Sequence, residues 1–386
     1  MRYILLLIFM GIFGNYYIFF LLSIFLIVCY ILKNKKILIP KSSSFALLTV
    51  FELLYLFFSL LYNTFEISIF LFPILFYYDG FLLIEMSNNA CKKKEYIFTI
   101  IKSIIFGLFI HGMLNYFNNL NSVNRNVIDY WTNTPLSATL QAMLVVLYNS
   151  LLFYYLFYER KITKKILYLV GFVFSLLYLF LIATRTGIII ILVTLVINVI
   201  YSLHLSGKLT MKKLFFIIII VLILIFSYNK DIFNIKSMYE KSNLYYRIND
   251  NTVRSSDDHR FYYQINTLNK IFESFIFKPD IKEYAYAHNM WLDIGKNTGI
   301  LPFLFLFAFS VVSIVQVLKY TKYLKNKNGL KIAFVSMIFA LNVNFFVEPI
   351  VPLFLGVYCF IIGMTEANYR RIKKERNLNH ENIMDN

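Results

Sequence analysis

The sequence predicts an all-α fold: a polytopic membrane protein of about eleven or twelve transmembrane helices with one long extracytoplasmic loop. Three observations carry that prediction. Of the 386 residues 59% are apolar, 19% aromatic and 15% charged, with a mean hydropathy of +0.65, against roughly 25% charged residues in an ordinary soluble domain. Apolar runs of roughly 17–25 residues recur along the whole chain, the length that crosses hydrocarbon about 30 Å thick. The formal charge of +17 is concentrated in every second connection: Lys33 to Lys41, Lys92 to Lys94, Arg160 to Lys165, Lys208 to Lys213, Lys319 to Lys331 and Arg370 to Arg376. That alternation is the positive-inside pattern. The charge therefore reports topology in the cytoplasmic membrane, with the C-terminus on the cytoplasmic side, and no nucleic-acid partner. An outer-membrane barrel would need short alternating segments, which the sequence does not show.

Taken in order, the spans are predicted near 4–32, 43–62, 67–86, 96–117, 136–158, 166–184, 186–204, 214–229, 300–318, 331–347 and 350–366. The first is long for one crossing, and Gly11, Gly14 and Asn15 are candidate break points. Its apolar run exceeds that of a signal peptide and no small-residue cleavage site follows, so it reads as a retained anchor. Cys29, Cys91 and Cys359 fall in spans or on the basic side, which argues against a disulfide framework. The chain divides into N-terminal transmembrane helices (1–229), an extracytoplasmic loop with amphipathic helices (230–299), C-terminal transmembrane helices (300–367) and a basic cytoplasmic tail (368–386). A shorter outer connection covers about 118–135.

The long loop is not rich in Gly, Ser or Pro, so it is no linker. Ser255 and Asp258 fit the S-x-x-D capping pattern. Beyond them Phe261, Ile265, Leu268, Phe272 and Phe275 recur at helical spacing, a stripe suited to lying on the membrane or on the bundle. Pro279 is the predicted stop of that helix.

Arginine is scarce, 10 against 28 lysines, yet Arg125, Arg185, Arg247, Arg254 and Arg260 lie on the side where the charge rule does not place them. A guanidinium is always charged and binds phosphate bidentately, so the group points to a lipid-linked phosphate or diphosphate. The competing reading is local pairing with Asp250, Asp257, Asp258 and Glu283. Arg185 stands in Ala-Thr-Arg-Thr-Gly between two apolar runs, where a cation is costly unless paired, in a wet cavity or snorkelling to headgroups. His288 opens Ala287-His288-Asn289-Met290-Trp291-Leu292-Asp293 just ahead of a span, and an imidazole accepts a proton near neutral pH; a structural histidine is the alternative. His111, His204 and His380 show no such setting, and His259 is a reserve beside Arg260. Asp257-Asp258-His259 is a poor metal site with no second ligand cluster. Glu52 and Asp79 lie inside spans, where an ionisable group is functional by default, unless Lys102 or His111 pairs with them. Tyr262, Tyr263, Tyr284, Tyr286 and Trp291 fit either sugar stacking or an interfacial aromatic belt.

Thr184-Arg185-Thr186-Gly187 running into an apolar helix resembles the arginine motif of the O-antigen ligase and polymerase family. His288-Asn289-x-x-Leu292-x6-Gly299 leading into a span resembles that family's histidine signature, with Arg260 at the arginine that precedes it and Glu348-Pro349 similar to an acidic stretch near the last span. The resemblance covers roughly 180–365; the N-terminal half agrees only in being apolar and helical. It implies a membrane glycosyltransferase of GT-C-like fold that is inverting and needs neither metal nor cofactor, with undecaprenyl-diphosphate-linked oligosaccharide as donor and acceptor. By the same resemblance Arg185 and Arg260 grip the diphosphate and His288 serves near the acceptor hydroxyl. Asn289 and Trp291 join them as substrate-binding candidates, and so do Arg247 and Arg254, which match no motif position but lie in the same loop.

The chemistry is coherent without the family. Diphosphate departure develops negative charge that fixed cations stabilise, and a hydroxyl nucleophile needs a base within hydrogen-bond reach. The leading expectation is a polymerase for O-antigen, capsule or exopolysaccharide, with membrane lipid around it and a chain-length regulator as a further partner. The rich Ile, Phe, Tyr, Lys and Asn content fits an AT-rich coding region of the kind common in polysaccharide clusters. The alternatives are a ligase moving finished glycan to lipid A-core or protein, and a transporter or flippase of the lipid-linked sugar. The last would favour internal repeats, and none is visible.

Overall fold

The computed structural model describes residues 16–35, 37–86, 95–120, 127–206, 229–230, 240, 245, 251–324, 328–349 and 351–384. Over these the protein is a helical, multi-pass membrane protein with almost no strand. Its helices are α1 (Tyr16–Asn34), α2 (Ser43–Leu61), α3 (Ile67–Met86), α4 (Glu95–Asn118), α5 (Ala138–Asn149), α6 (Leu152–Phe157), α7 (Ile162–Leu181), α8 (Arg185–Ser206), α9 (Asn251–Glu273), α10 (Met290–Thr298), α11 (Ile300–Tyr323), α12 (Asn328–Val347) and α13 (Pro352–Met384). Among the described residues seven helical stretches are long and apolar enough to cross a membrane: α2, α3, α4, α5 taken with α6, α7, α11 and α12. The apolar stretches of α1 and α8 are shorter, at Ser23–Asn34 and Arg185–Tyr201. The predicted span at 214–229 and the break at Gly11 to Asn15 lie outside the described residues.

Several boundaries differ from expectation, each for a local reason. The span predicted over 136–158 breaks at Ser150: its hydroxyl donates to the Leu147 carbonyl at 2.6 Å, and the Leu151 amide reaches back three residues to Tyr148. Ser150 thus offers the backbone an alternative to the regular ladder. The helix predicted to be capped at Ser255 starts earlier, at Asn251, since neither Gly nor Pro interrupts 251–255. It stops at Glu273, before Pro279, because Phe275 turns to φ 54° and the Ser274 hydroxyl takes the Lys270 carbonyl. The last helix, predicted to end near 366, continues to Met384; no Gly or Pro follows Met364, and Arg370 binds Glu366 one turn back at 2.5 Å.

The described chain falls into two compact units. The first combines residues 1–104, 261–326 and 345–386; the second combines 105–260 and 327–344. In the first, α3 and α13 meet backbone to backbone. A Cβ on Gly80 would strike the Phe360 carbonyl, and one on Gly363 the Tyr77 carbonyl. Small residues permit that approach in lipid, where no hydrophobic force drives helices together. α9 joins the same unit through Thr267, whose hydroxyl lies 2.7 Å from the Tyr284 hydroxyl, and through Ile271, which packs on Gly295. The predicted stripe of α9 therefore points away from this packing face: Phe261, Phe272 and Phe275 are exposed. In the second unit Tyr148 stacks on Phe109 at 4.0 Å and on Tyr168 at 4.8 Å, and its ring fills the space a Cβ on Gly171 would take. The connection after α4 closes with a two-residue antiparallel pair, β1 (Val127–Ile128) with β2 (Pro135–Leu136), Val127 opposite Leu136.

Candidate functional site

The segment between α9 and α11 builds the site in the first unit. Asn289 is the N-cap of α10: its side-chain oxygen accepts from the Leu292 amide at 3.1 Å, and its amide nitrogen donates to the Phe346 carbonyl at 3.1 Å. Gly299 ends α10 at φ 89°, in contact range of the Ile276 carbonyl for any Cβ, and α11 begins at the next residue. The spacing His-Asn-x-x-Leu-x6-Gly is thus a cap, the amide it binds and a left-handed turn. Asn289, a substrate-binding candidate, uses its polar atoms here to hold the loop.

His288 precedes that cap at φ 55°, a left-handed conformation that a non-glycine residue adopts only when its surroundings over-determine it. The surroundings do so. The Asp293 carboxylate accepts the Ala287 amide at 2.6 Å and the Asn289 amide at 3.3 Å, one on each side of the histidine. Gln264 of α9 donates to the His288 carbonyl at 3.1 Å. Lys296 donates to the carbonyls of Tyr284 and Ala285. The side chain held this way lies with Nδ1 4.0 Å from the carboxylate of Glu348; His288 is 31% exposed and Glu348 2%. Glu348 follows α12 directly and α11 follows Gly299, so the pair sits at the ends of two membrane-length helices, opposite the basic 319–331 connection.

Burial tunes this segment. Asp293 is pushed up to about 7, chiefly by desolvation and further by Glu348, while the Ala287 and Asn289 amides and Lys296 pull it down. Lys296 is lowered, again mainly by desolvation, with Asp293 opposing. Trp291, another substrate-binding candidate, is 7% exposed. Its Nε1 donates to the Ser310 hydroxyl at 3.0 Å, and its ring packs edge-on against Phe307 and Phe345. A large ring with one donor is a stable core residue once that donor is satisfied. Tyr262 and Tyr286 keep open rings.

Arg185 and Arg260 belong to the second unit. Arg185 opens α8 after a three-residue turn in which Ala183 takes φ 50° and the Thr184 hydroxyl accepts the Gly187 amide at 3.4 Å. A cation at a helix N-terminus opposes the macrodipole, but together with the first-turn amides it makes a concentrated anion-binding end. Arg254 lies in α9 with its side chain outside the described residues, and Arg247 is outside them altogether.

Two polar features carried no usable sequence signal. One is the Asp293–Lys296 clamp, visible in sequence only as charges on a short helix. The other concerns His111, which was expected to have no special setting. Its Nε2 meets Asp129 Oδ1 at 2.5 Å, and both are buried. Asn115 bridges Asp129 to Gln141, and Tyr178 donates to the same Gln141 oxygen. His111 is therefore committed to Asp129, 18 residues on in the hairpin turn. Asp129 is held well below the usual carboxylate range: burial raises it, but His111 and the Thr132 amide and hydroxyl outweigh that. Among the described residues no three His, Cys, Asp or Glu gather as metal ligands.

Fold and site together define a helical multi-pass membrane protein with a poised histidine–carboxylate pair at the end of two spans. Compared with known proteins, the chain matches no family profile and no curated sequence.

Proposed function

We propose that the protein is a membrane glycosyltransferase that polymerises lipid-diphosphate-linked glycan repeat units. The observation that carries this reading is the 4.0 Å approach of His288, held in a left-handed conformation, to buried Glu348 at a span boundary. In the proposed reaction the acceptor hydroxyl attacks the anomeric carbon of the donor and the carbon–oxygen bond to the diphosphate breaks. His288 takes the hydroxyl proton, and the Glu348 carboxylate stabilises the resulting imidazolium. Fixed cations would stabilise the departing diphosphate, the role that the resemblance gives Arg185 and Arg260. An outer position for His288 is supported by the positive-inside pattern, since the basic 319–331 connection lies at the far end of α11.

A flippase is the second reading, favoured by Glu52: it is buried within α2, and neither carboxyl oxygen has a hydrogen-bond partner among the described residues. Deleting the gene in its host and sizing the surface and lipid-linked glycans separates the readings. Single repeat units with the long ladder gone is the expected result. Long chains stranded on the lipid carrier would instead make it a ligase, and repeat units retained on the inner leaflet would make it a flippase.

A further inference from the structure

At the end of the first unit remote from His288, a cavity of about 490 Å³ opens between the start of α2 and the second half of α11. That volume falls within the roughly 300–1,000 Å³ of small-molecule sites. Its polar end carries Lys41, Ser43 and Lys319. Glu366 also lines it, but Arg370 holds that carboxylate at 2.5 Å, whereas neither lysine has an ion-pair partner among the described residues. The cavity is therefore electropositive. Ser42 caps α2 by accepting the Phe45 amide at 3.1 Å, and the Ser44 hydroxyl donates to Gln316 at 2.7 Å. The Ser43 and Ser44 amides remain as first-turn donors, with the positive end of the helix dipole behind them.

The other wall is apolar and continuous with a longer track. Val311 and Val315 line the cavity, and Leu304, Phe307, Val311 and Val315 are all exposed along one face of α11. Steps of three and four residues keep them in line, and one further step of four reaches Lys319. An apolar stripe on a membrane-length helix that runs into a cationic, hydroxyl-lined cavity matches a molecule with an acyl chain joined to a phosphate ester.

We propose that this cavity is a binding site for the headgroup of an anionic phospholipid, with one acyl chain lying along Leu304, Phe307, Val311 and Val315. Lys41 and Lys319 contact the phosphate, and the first-turn amides of α2 complete its coordination. The site is separate from the His288 segment, so it holds whether or not the glycosyl-transfer reading does.

The test uses the purified full chain, delipidated in detergent, with bound lipid counted by native mass spectrometry against dioleoyl-phosphatidylglycerol and dioleoyl-phosphatidylcholine. The expected result is a preference for phosphatidylglycerol that falls roughly 5-fold for each of Lys41→Gln and Lys319→Gln. Lys322→Gln, a lysine on α11 that does not line the cavity, should leave the preference unchanged. Phosphatidylglycerol preference surviving in the K41Q/K319Q double variant would overturn the site. Inorganic phosphate displacing the lipid at equal concentration would overturn the lipid as its occupant, because the apolar track would then contribute nothing.

Discussion

Two histidine–carboxylate pairs among the described residues, His111–Asp129 and His288–Glu348, differ in every respect that decides what a pair can do. His111 and Asp129 touch at 2.5 Å, both are buried, and the carboxylate is also saturated by Asn115, the Trp131 and Thr132 amides and the Thr132 hydroxyl. His288 and Glu348 stand 4.0 Å apart, the histidine is partly exposed, and its backbone is held in an unfavourable conformation by Gln264 and Asp293. The carboxylates that organise the two regions shift in opposite directions: Asp129 falls, Asp293 rises to about 7. A carboxylate ringed with donors stabilises a fold. A carboxyl buried with fewer of them, as Asp293 is, holds its proton closer to neutrality. The geometry of the first pair is that of a clasp, and the second is the site we propose.

Four substitutions test whether the two pairs differ in this way. His288→Ala should lower glycan polymerisation by about 10²–10⁴-fold with unchanged membrane abundance; normal glycan chain length in cells carrying it would remove His288 from the chemistry. Asp129→Ala should behave in the opposite sense, destabilising the protein by about 3–5 kcal/mol by leaving a buried histidine unpaired, as read by thermal unfolding in detergent. Equal stability losses from the two variants would erase the distinction between clasp and site.

Asp293→Asn probes the tuning. Because the folded-state pKa of Asp293 is raised, the folded protein holds a proton that the unfolded chain releases, and this contribution to stability declines as pH rises from about 4 to about 7. The Asn variant should lack that decline, and an unaltered difference in stability between pH 4 and pH 7 would refute the assignment. Asp129, with its pKa lowered, works the other way: its contribution is present above the ordinary carboxylate range and lost as pH falls below that range through its lowered folded-state value. The smallest effect is expected from Asn289→Ala, about 1 kcal/mol for the lost cap, together with reduced activity as the His288 loop loosens. Full activity in that variant would show that the loop is positioned without Asn289.

Much of the architecture was legible in the sequence because lipid imposes it. The apolar runs at 43–62, 67–86 and 331–347 became helices within a few residues of their predicted ends, since a helix satisfies its backbone within a single apolar run. Ends set by local hydrogen bonding, as at Ser150 and Phe275, were not legible. A serine or phenylalanine carries no fixed instruction to stop a helix.

The candidate site divides in the same way. His288, Asn289 and Gly299 stood out because capping and a left-handed turn are encoded over a few adjacent residues. Glu348 was only a weak match, and Asp293, Lys296, Gln264 and the His111–Asp129 clasp gave no warning. Their roles depend on partners up to 82 residues away, as in the bond from Gln264 to the Phe346 carbonyl.

By itself, then, the sequence determined that the chain is helical and crosses a membrane, and where its most conspicuous loop begins. Packing between distant segments buried Trp291, turned the apolar stripe of α9 outward, and locked His111 on Asp129 while leaving His288 4.0 Å from Glu348. Hydropathy and capping act along the chain. Burial, pairing and charge tuning act between distant segments, and they exist only once those segments have met.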